Sequence, residues 1–467
     1  MNQLFTGLTL LILLSACPLP AASAAPASTG IAASAASAAK PAPEPAEDPP
    51  VPLPADVRQT ESLMPDGAGL INIFPVNPYG KIKPPMQALL FVPRYYHPGR
   101  TWPLLVEAAE PGDLGRAARG FVEQAENRGF LFLALECSFI RKDVPGAKIL
   151  SKEKVWNRQG GGTVVDLSRP PGEFARDLTV DSLAAVDLVR QVETRYNVAR
   201  PGVAITGFVG TALLAYLQAA EHPETFRAII ARTGQFDPGY LNLGFGRKID
   251  TSICIIYGAN EIFKFSDQSK AAADFFRAHN YKHVTIEEIP NSGVDYRPEI
   301  AVNYFLGEFS GRAGPNRAAF DRATSRAGLC LVGEADPESA AAKDQPPTPI
   351  SPAKALAALD NFVEAHPEDR EFLPYCRFLA ARLLHEKIHD DALAAARLRE
   401  FSKPPLLGDA VAPDALLYLV DKVLGPKADR QDALALLHQA VDRYSLRPET
   451  AARAKELIKL LEGDKKQ

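Results

Sequence analysis

His385, Glu386 and His389 in "HEKIH" have the H-E-x-x-H spacing that sets two imidazoles one helical turn apart, with a carboxylate placed beside a metal-bound water. That chemistry needs both histidines on one continuous helix. Here "FLAARLLHEK" reads as the end of one helix and "DDALAAARLREF" as the start of the next, with Asp390 or Asp391 as its cap. The histidines are expected to straddle a turn, so no metal site is assigned. The run Gly160-Gly161-Gly162 in "WNRQGGGTVVDL" lacks the strand-to-helix context and the Lys-Ser/Thr pair of a phosphate loop, and reads as a flexible insertion. Five cysteines (Cys17, Cys137, Cys254, Cys330 and Cys376) show no CxxC spacing, so neither a zinc cluster nor a disulfide framework is expected, and no cofactor is implied.

The elements that would position any chemistry lie between residues 60 and 312. Short apolar runs, "QALLFVP", "PLLVEA", "FLFLAL", "VAIT", "FRAIIA", "SICIIYG" and "HVTIEEI", alternate with the helical patterns "LGRAARGFVEQAENR", "DSLAAVDLVRQVETRY", "TALLAYLQAAEH" and "QSKAAADFFRAHN". Near-continuous apolar strands are those covered on both faces, so the fold class is α/β, a mostly parallel sheet with helices on both sides. Within it, strand "VAIT" runs into Gly207-Phe208-Val209-Gly210-Thr211 and then directly into a helix. Two loops farther on carry Glu261, in "CIIYGANEIF", and Val294, in "IPNSGVDYRPE".

These three places resemble the α/β-hydrolase superfamily, in particular polyhydroxybutyrate-depolymerase-like and feruloyl-esterase-like serine esterases, over residues 86–310. The resemblance implies a strained G-x-S-x-G elbow whose serine attacks a carbonyl, followed in chain order by an acid and a histidine. In this sequence Gly207 and Gly210 frame the elbow, Val209 stands at the nucleophile, and Thr211 replaces the third glycine. Glu261 stands at the acid and Val294 at the histidine. The expected oxyanion loop reads Ala108-Ala109-Glu110-Pro111-Gly112, where Pro111 has no N–H and Glu110 would repel a developing negative charge. Valine can neither take nor return a proton, so a degenerate triad is expected. Thr206, Thr211, Ser252, Cys254 and Ser292 are substitutes near the vacated site, with Ser252 and Cys254 expected in the core. None of the eight histidines (His97, His222, His279, His283, His366, His385, His389, His438) stands where the family needs one, and His222 reads as a structural helix end.

The chain has 467 residues, 46% of them hydrophobic, and 52 basic against 56 acidic residues, which is room for two or three domains and no global basic field. Nucleic acid is therefore excluded as an expected partner. "LFTGLTLLILLSAC" reads as an export signal over residues 1–17, too short to span a bilayer. Leu14-Ser15-Ala16-Cys17 resembles a bacterial lipobox, which implies acylation of Cys17 and an outer-membrane anchor, with no membrane contact beyond that lipid. Cleavage at Ala22-Ser23-Ala24, giving a soluble periplasmic or secreted protein, is the other reading. Residues 18–58 are rich in Ala, Pro and Ser and read as a tether.

Residues 313–350 read as a second linker, and residues 351–462 as all-helical. Three look-alike segments, aligned on Leu356, Leu393 and Leu434, recur after 37 and 41 residues, which resembles a short tetratricopeptide-like array; a plain helical bundle fits as well. The helical part is expected to be separable after Pro349. Together these features point to an exported, lipid-anchored pseudo-hydrolase that binds envelope proteins through its helical part. A small molecule or glycan in the former active-site cleft is a further expected ligand. The alternative is an active esterase, on esters or on polyester or carbohydrate esters, with an unrecognised nucleophile.

Overall fold

A computed structural model describes residues 68–69, 71–76, 86–140, 171–241, 250–261, 265–337, 348–425, 429–442 and 448–463. Cys17, the tether of residues 18–58 and Gly160–Gly162 lie outside the described residues. The strands are β1 (Ile71–Val76), β2 (Met86–Phe91), β3 (Trp102–Ala109), β4 (Leu131–Glu136), β5 (Val198–Phe208), β6 (Ala228–Arg232), β7 (Ser252–Gly258) and β8 (Val284–Ile289). They form one sheet in the order β1-β2-β4-β3-β5-β6-β7-β8. Strand β2 runs antiparallel to β1 and β4, whereas β3 to β8 pair in parallel. The fold is thus a mostly parallel, mixed α/β sheet.

Helices α1 (Leu114–Arg128) and α5 (Pro298–Ala313) cover one face. Their Phe121, Ala125, Val302 and Phe305 pack with Leu105, Phe132, Ala204 and Ile230 of the strands. Helices α2 (Pro171–Arg195), α3 (Ala212–Glu221) and α4 (Phe265–Ala278) cover the other, against Leu104, Val106, Ile205 and Ile253. Side chains of successive strand residues point to opposite faces, so these runs are apolar at almost every position.

The chain continues through α6 (Arg317–Val332), α7 (Pro352–Ala365), α8 (Leu373–Leu383), α9 (Asp391–Arg399), α10 (Ala412–Tyr418), α11 (Arg430–Asp442) and α12 (Pro448–Gly463). Two expectations change here. Residues 313–350 are not a plain linker, because α6 lies within them with Phe320, Ala327, Leu329 and Leu331 buried, and Ala335 bridges Pro349. Nor is the helical part separate: all described residues fall in one compact unit, Asp56–Gln467, with a continuous apolar core.

The joint between the two parts is specific. Arg317 of α6 donates to the Thr101 carbonyl at 2.6 Å and to its Oγ1 at 2.8 Å, and pairs with Asp321 at 2.9 Å. Arg100, its side chain fully buried, reaches Asp321 at 2.8 Å and lies over the Trp102 ring at 4.2 Å. Phe320 stacks on Phe372 at 4.4 Å, and the His97 ring meets Tyr375 at 5.4 Å and Phe378 at 5.1 Å.

Candidate functional site

Strand β4 lies on one side of β3 and β5 on the other, so the order of addition reverses between β3 and β5. In such sheets a ligand crevice opens outside the carboxyl ends of the strands at that point. Val209 leaves β5 there, at the start of the turn into α3. Its φ is 54°, the left-handed region, where a β-branched residue is strained by about 1–2 kcal/mol. The turn is tight enough to demand glycine at 207, since a Cβ on Gly207 would come within 2.5 Å of the Thr211 carbonyl oxygen. Thr211 closes the turn: its Oγ1 accepts from the Phe208 N–H at 2.8 Å and donates to the Phe208 carbonyl at 3.0 Å. Thr211 is thereby a local lock on the turn.

Val209 is fully buried in one apolar cluster with Phe208, Ile256, Phe265, Val294 and Tyr296. Glu261 sits on the loop after β7. Its Oε1 accepts from the Gly258 N–H at 2.8 Å, while its buried Oε2 has no hydrogen-bond partner among the described residues. Burial pushes the carboxyl up to about 7, against the hydrogen bonds from Gly258 and Thr233. The loops carrying Glu261 and Val294 touch: the Asn260 N–H donates to the Ser292 carbonyl at 2.8 Å, and a Cβ on Gly258 would strike the Gly293 and Ser292 carbonyls. The three positions therefore come to one edge of the sheet.

A group that the sequence reading overlooked dominates this edge. Glu107 of β3 is 2% exposed and Arg232 of β6 is 0% exposed, and they form a two-pronged ion pair. Arg232 also donates to Thr206 Oγ1 at 3.0 Å and to the Tyr296 carbonyl at 2.7 Å, and the Tyr296 hydroxyl donates to Glu107 at 3.0 Å. Burial raises the Glu107 carboxyl, and Arg232, Tyr296 and Arg116 pull the other way. The available signal was a lone Glu inside the apolar strand "PLLVEA" and an Arg ending another.

The remaining candidates are held in structural roles. Ser292 Oγ donates to Asp295, which Arg297 pairs at 3.2 Å. Ser252 and Cys254 are buried in β7, and Cys137, Cys254, Cys330 and Cys376 are free and buried. In the loop after β3 the Gly112 N–H donates to Glu136 at 2.8 Å, and Arg116 pairs Asp113 at 2.6 Å. His222 caps the end of α3. In "HEKIH" a π-helical turn, Leu384–Ile388, ends at His389 with φ 63°, and the Asp390 side chain then caps α9 at the Leu393 N–H. His385 bonds Asp391 at 2.7 Å, and Glu386 accepts from Arg382 at 2.8 Å, so the motif is used within the helices. Thus this edge of the sheet holds a strained turn with Val209 at its left-handed position, the Glu261 carboxyl on the loop after β7, and Val294 packed beside Val209.

No family model matches the sequence, and no curated protein matches it. Among solved structures the chain is similar to esterase 2 of the Planctomycetes species Thermogutta terrifontis with butyrate bound, at 12% identity and a TM-score of 0.32, covering 48% of this chain and 89% of that one. It is similar to a thermostable esterase at 17% identity and a TM-score of 0.33, covering 52% of this chain and 60% of that one. It is also similar to a candidate dipeptidyl aminopeptidase IV of Bacteroides ovatus at 13% identity and a TM-score of 0.35, covering 51% of this chain but spanning only 36% of that one.

Proposed function

We propose that this chain is a pseudo-hydrolase, an exported binding or scaffold protein of the cell envelope whose α/β-hydrolase-like elbow is a structural remnant. The observation that carries the reading is Val209, fully buried at the left-handed position of the elbow and packed in one cluster with Val294. With no hydroxyl or thiol at one and no imidazole at the other, the triad route to acyl transfer has neither nucleophile nor base. The Glu107–Arg232 pair fills the same edge with fixed charge.

The helical part supplies the binding surface. Helices α7, α9 and α11 carry the three look-alike segments, and polar pairs join elements about one repeat apart. Arg397 clamps Asp360 at 37 residues' separation, Arg399 meets Asp432 at 33, Tyr418 meets Glu386 at 32, and Arg453 meets Asp421 at 32. Such spacing supports a tetratricopeptide-like stack, whose surface would take a peptide or helix of an envelope partner. Acylation of Cys17 would anchor the assembly to the outer membrane.

The test is chemical. The purified protein is expected to leave short-chain p-nitrophenyl and feruloyl esters intact and to take up no fluorophosphonate probe. Stoichiometric labelling of any serine or threonine would sink the reading in favour of an active esterase. For the anchor, Cys17→Ser should release the protein from membranes, and retention of that variant would overturn the lipid assignment.

A further inference from the structure

We propose that the cleft between α1, α5, α6 and α7 binds a small carboxylate with an apolar body, at a place unrelated to the former active site. The cleft has a volume of about 940 Å³, within the range of small-molecule sites. It lies at the seam where the sheet's helices meet the helical part. Leu306, Leu329, Phe362, Ala319 and Ala358 form its apolar lining.

Its charges are unbalanced. Two carboxylates line it, and both are matched: Asp321 by Arg317 at 2.9 Å and Arg100 at 2.8 Å, Asp336 by Arg326 at 2.6 Å. Two further guanidinium groups line it without a carboxylate among the described residues. Arg128 of α1 donates only to the neutral Asn303 Oδ1, at 2.6 Å, and burial lowers its pKa with no opposing carboxylate. Arg322 of α6, an exposed residue that lines the cleft, is the second. A cation at the end of α1 would be explained by the helix dipole alone, but Arg322 lies in the interior of another helix and gains nothing from it. Two arginines beside an apolar wall suit an anionic head on a hydrocarbon body, the head held by charge-assisted hydrogen bonds.

The experiment is titration calorimetry on the full chain with octanoate, with 1-octanol as the neutral control and inorganic phosphate as the headgroup control. Saturable binding of one octanoate is expected, at least tenfold tighter than either control. Arg128→Gln and Arg322→Gln should each weaken octanoate several-fold and leave octanol unchanged. Gly307→Leu tests the cavity without depending on charge. A Cβ at Gly307 meets nothing within 4 Å, so this variant should fold with an unchanged or raised Tm while blocking octanoate. The proposal is overturned if octanoate shows no saturable binding, if phosphate binds as tightly, or if binding is indifferent to both arginine variants or to Gly307→Leu.

Discussion

The carboxyl edge of the sheet and the seam between the two parts make opposite use of similar ingredients. At the edge, where the strand order reverses between β3 and β5, Val209, Val294 and Tyr296 pack together, and Arg232 has its Glu107 counter-ion within the core. At the seam, α1, α5, α6 and α7 leave an open cleft, and Arg128 and Arg322 line it without a carboxylate of their own. The elbow keeps its shape because Gly207 and Thr211 hold the backbone whatever side chain stands at 209. Arg232, with its counter-ion inside the fold, is a strut, whereas the arginines of the open cleft keep their charge free for the anionic head proposed above.

The largest test of this contrast is to remove one side of the seam. Truncation after Pro349 would strip Phe362, Phe372, Tyr375 and Phe378 from the shared core, each worth about 1.5–3 kcal/mol of burial. Their sum is on the order of 10 kcal/mol, comparable with the whole stability of a domain. The truncated protein is expected to lose its cooperative thermal transition. A sharp, unshifted transition by calorimetry would mean that the sheet part stands alone, and the seam would then be a contact between independent domains.

Next in size is the strut. Arg232→Met leaves Glu107 buried with the Tyr296 hydroxyl and the field of Arg116 but no paired cation, and should cost about 3–5 kcal/mol in urea unfolding. The pair Glu107→Leu with Arg232→Met removes both charges together and should regain most of that loss. If the single change costs under about 1 kcal/mol, water reaches Glu107 and the edge is not closed.

Legibility followed the same division. Strands β2 to β7 are legible because doubly covered strands are apolar almost throughout, and the edge strand β8 because Val284 and Ile286 alternate with exposed Thr285 and Glu287. Strand β1 was missed because Ile71–Val76 is an edge strand whose residues alternate between exposed and buried and include Pro75. Helix α6 is harder to read because it runs directly into the Pro/Ala-rich stretch "GEADPESAAAKDQPPTPISP", although Phe320, Ala323, Ala327 and Leu331 recur at helical spacing. The turn at Gly207–Thr211 is legible because its residues are contiguous. The Glu107–Arg232 pair was not, since its partners lie 125 residues apart and only the sheet register unites them.

Glu261 sharpens the picture of the edge through pH. Its carboxyl is raised to about 7 in the fold, from an ordinary value of 4.5. The folded state therefore holds the proton more tightly than the unfolded chain, and this contribution is complete below about pH 4.5 and lost as pH rises through about 7. Asp181, fully buried and raised to about 7, acts in the same direction. Glu261→Gln mimics the protonated form and should flatten part of the decline in Tm over that window, leaving the share due to Asp181. An unchanged slope would mean that the loop opens and solvates Glu261. The expected share is modest because the side chain is only partly buried.

The smallest expected effect bears on the helical part, where ion pairs bridge elements at near-repeat spacing on the surface and not in the core. Arg397 reaches Asp360 with both prongs, at 2.7 and 3.0 Å, yet the two side chains are 26% and 35% exposed. Solvent screens such a pair, and its coupling should be about 0.5–1 kcal/mol, far below that of the buried strut. A double-mutant cycle with Asp360→Asn and Arg397→Gln, followed by urea unfolding at low and high salt, measures it. The coupling should shrink as salt rises, because the Debye length falls from about 10 Å at 0.1 M to about 3 Å at 1 M. A salt-independent coupling of several kcal/mol would instead make this pair a desolvated strut like Glu107–Arg232. The link between α7 and α9 would then depend on charge, and not on the apolar faces that both turn to α8.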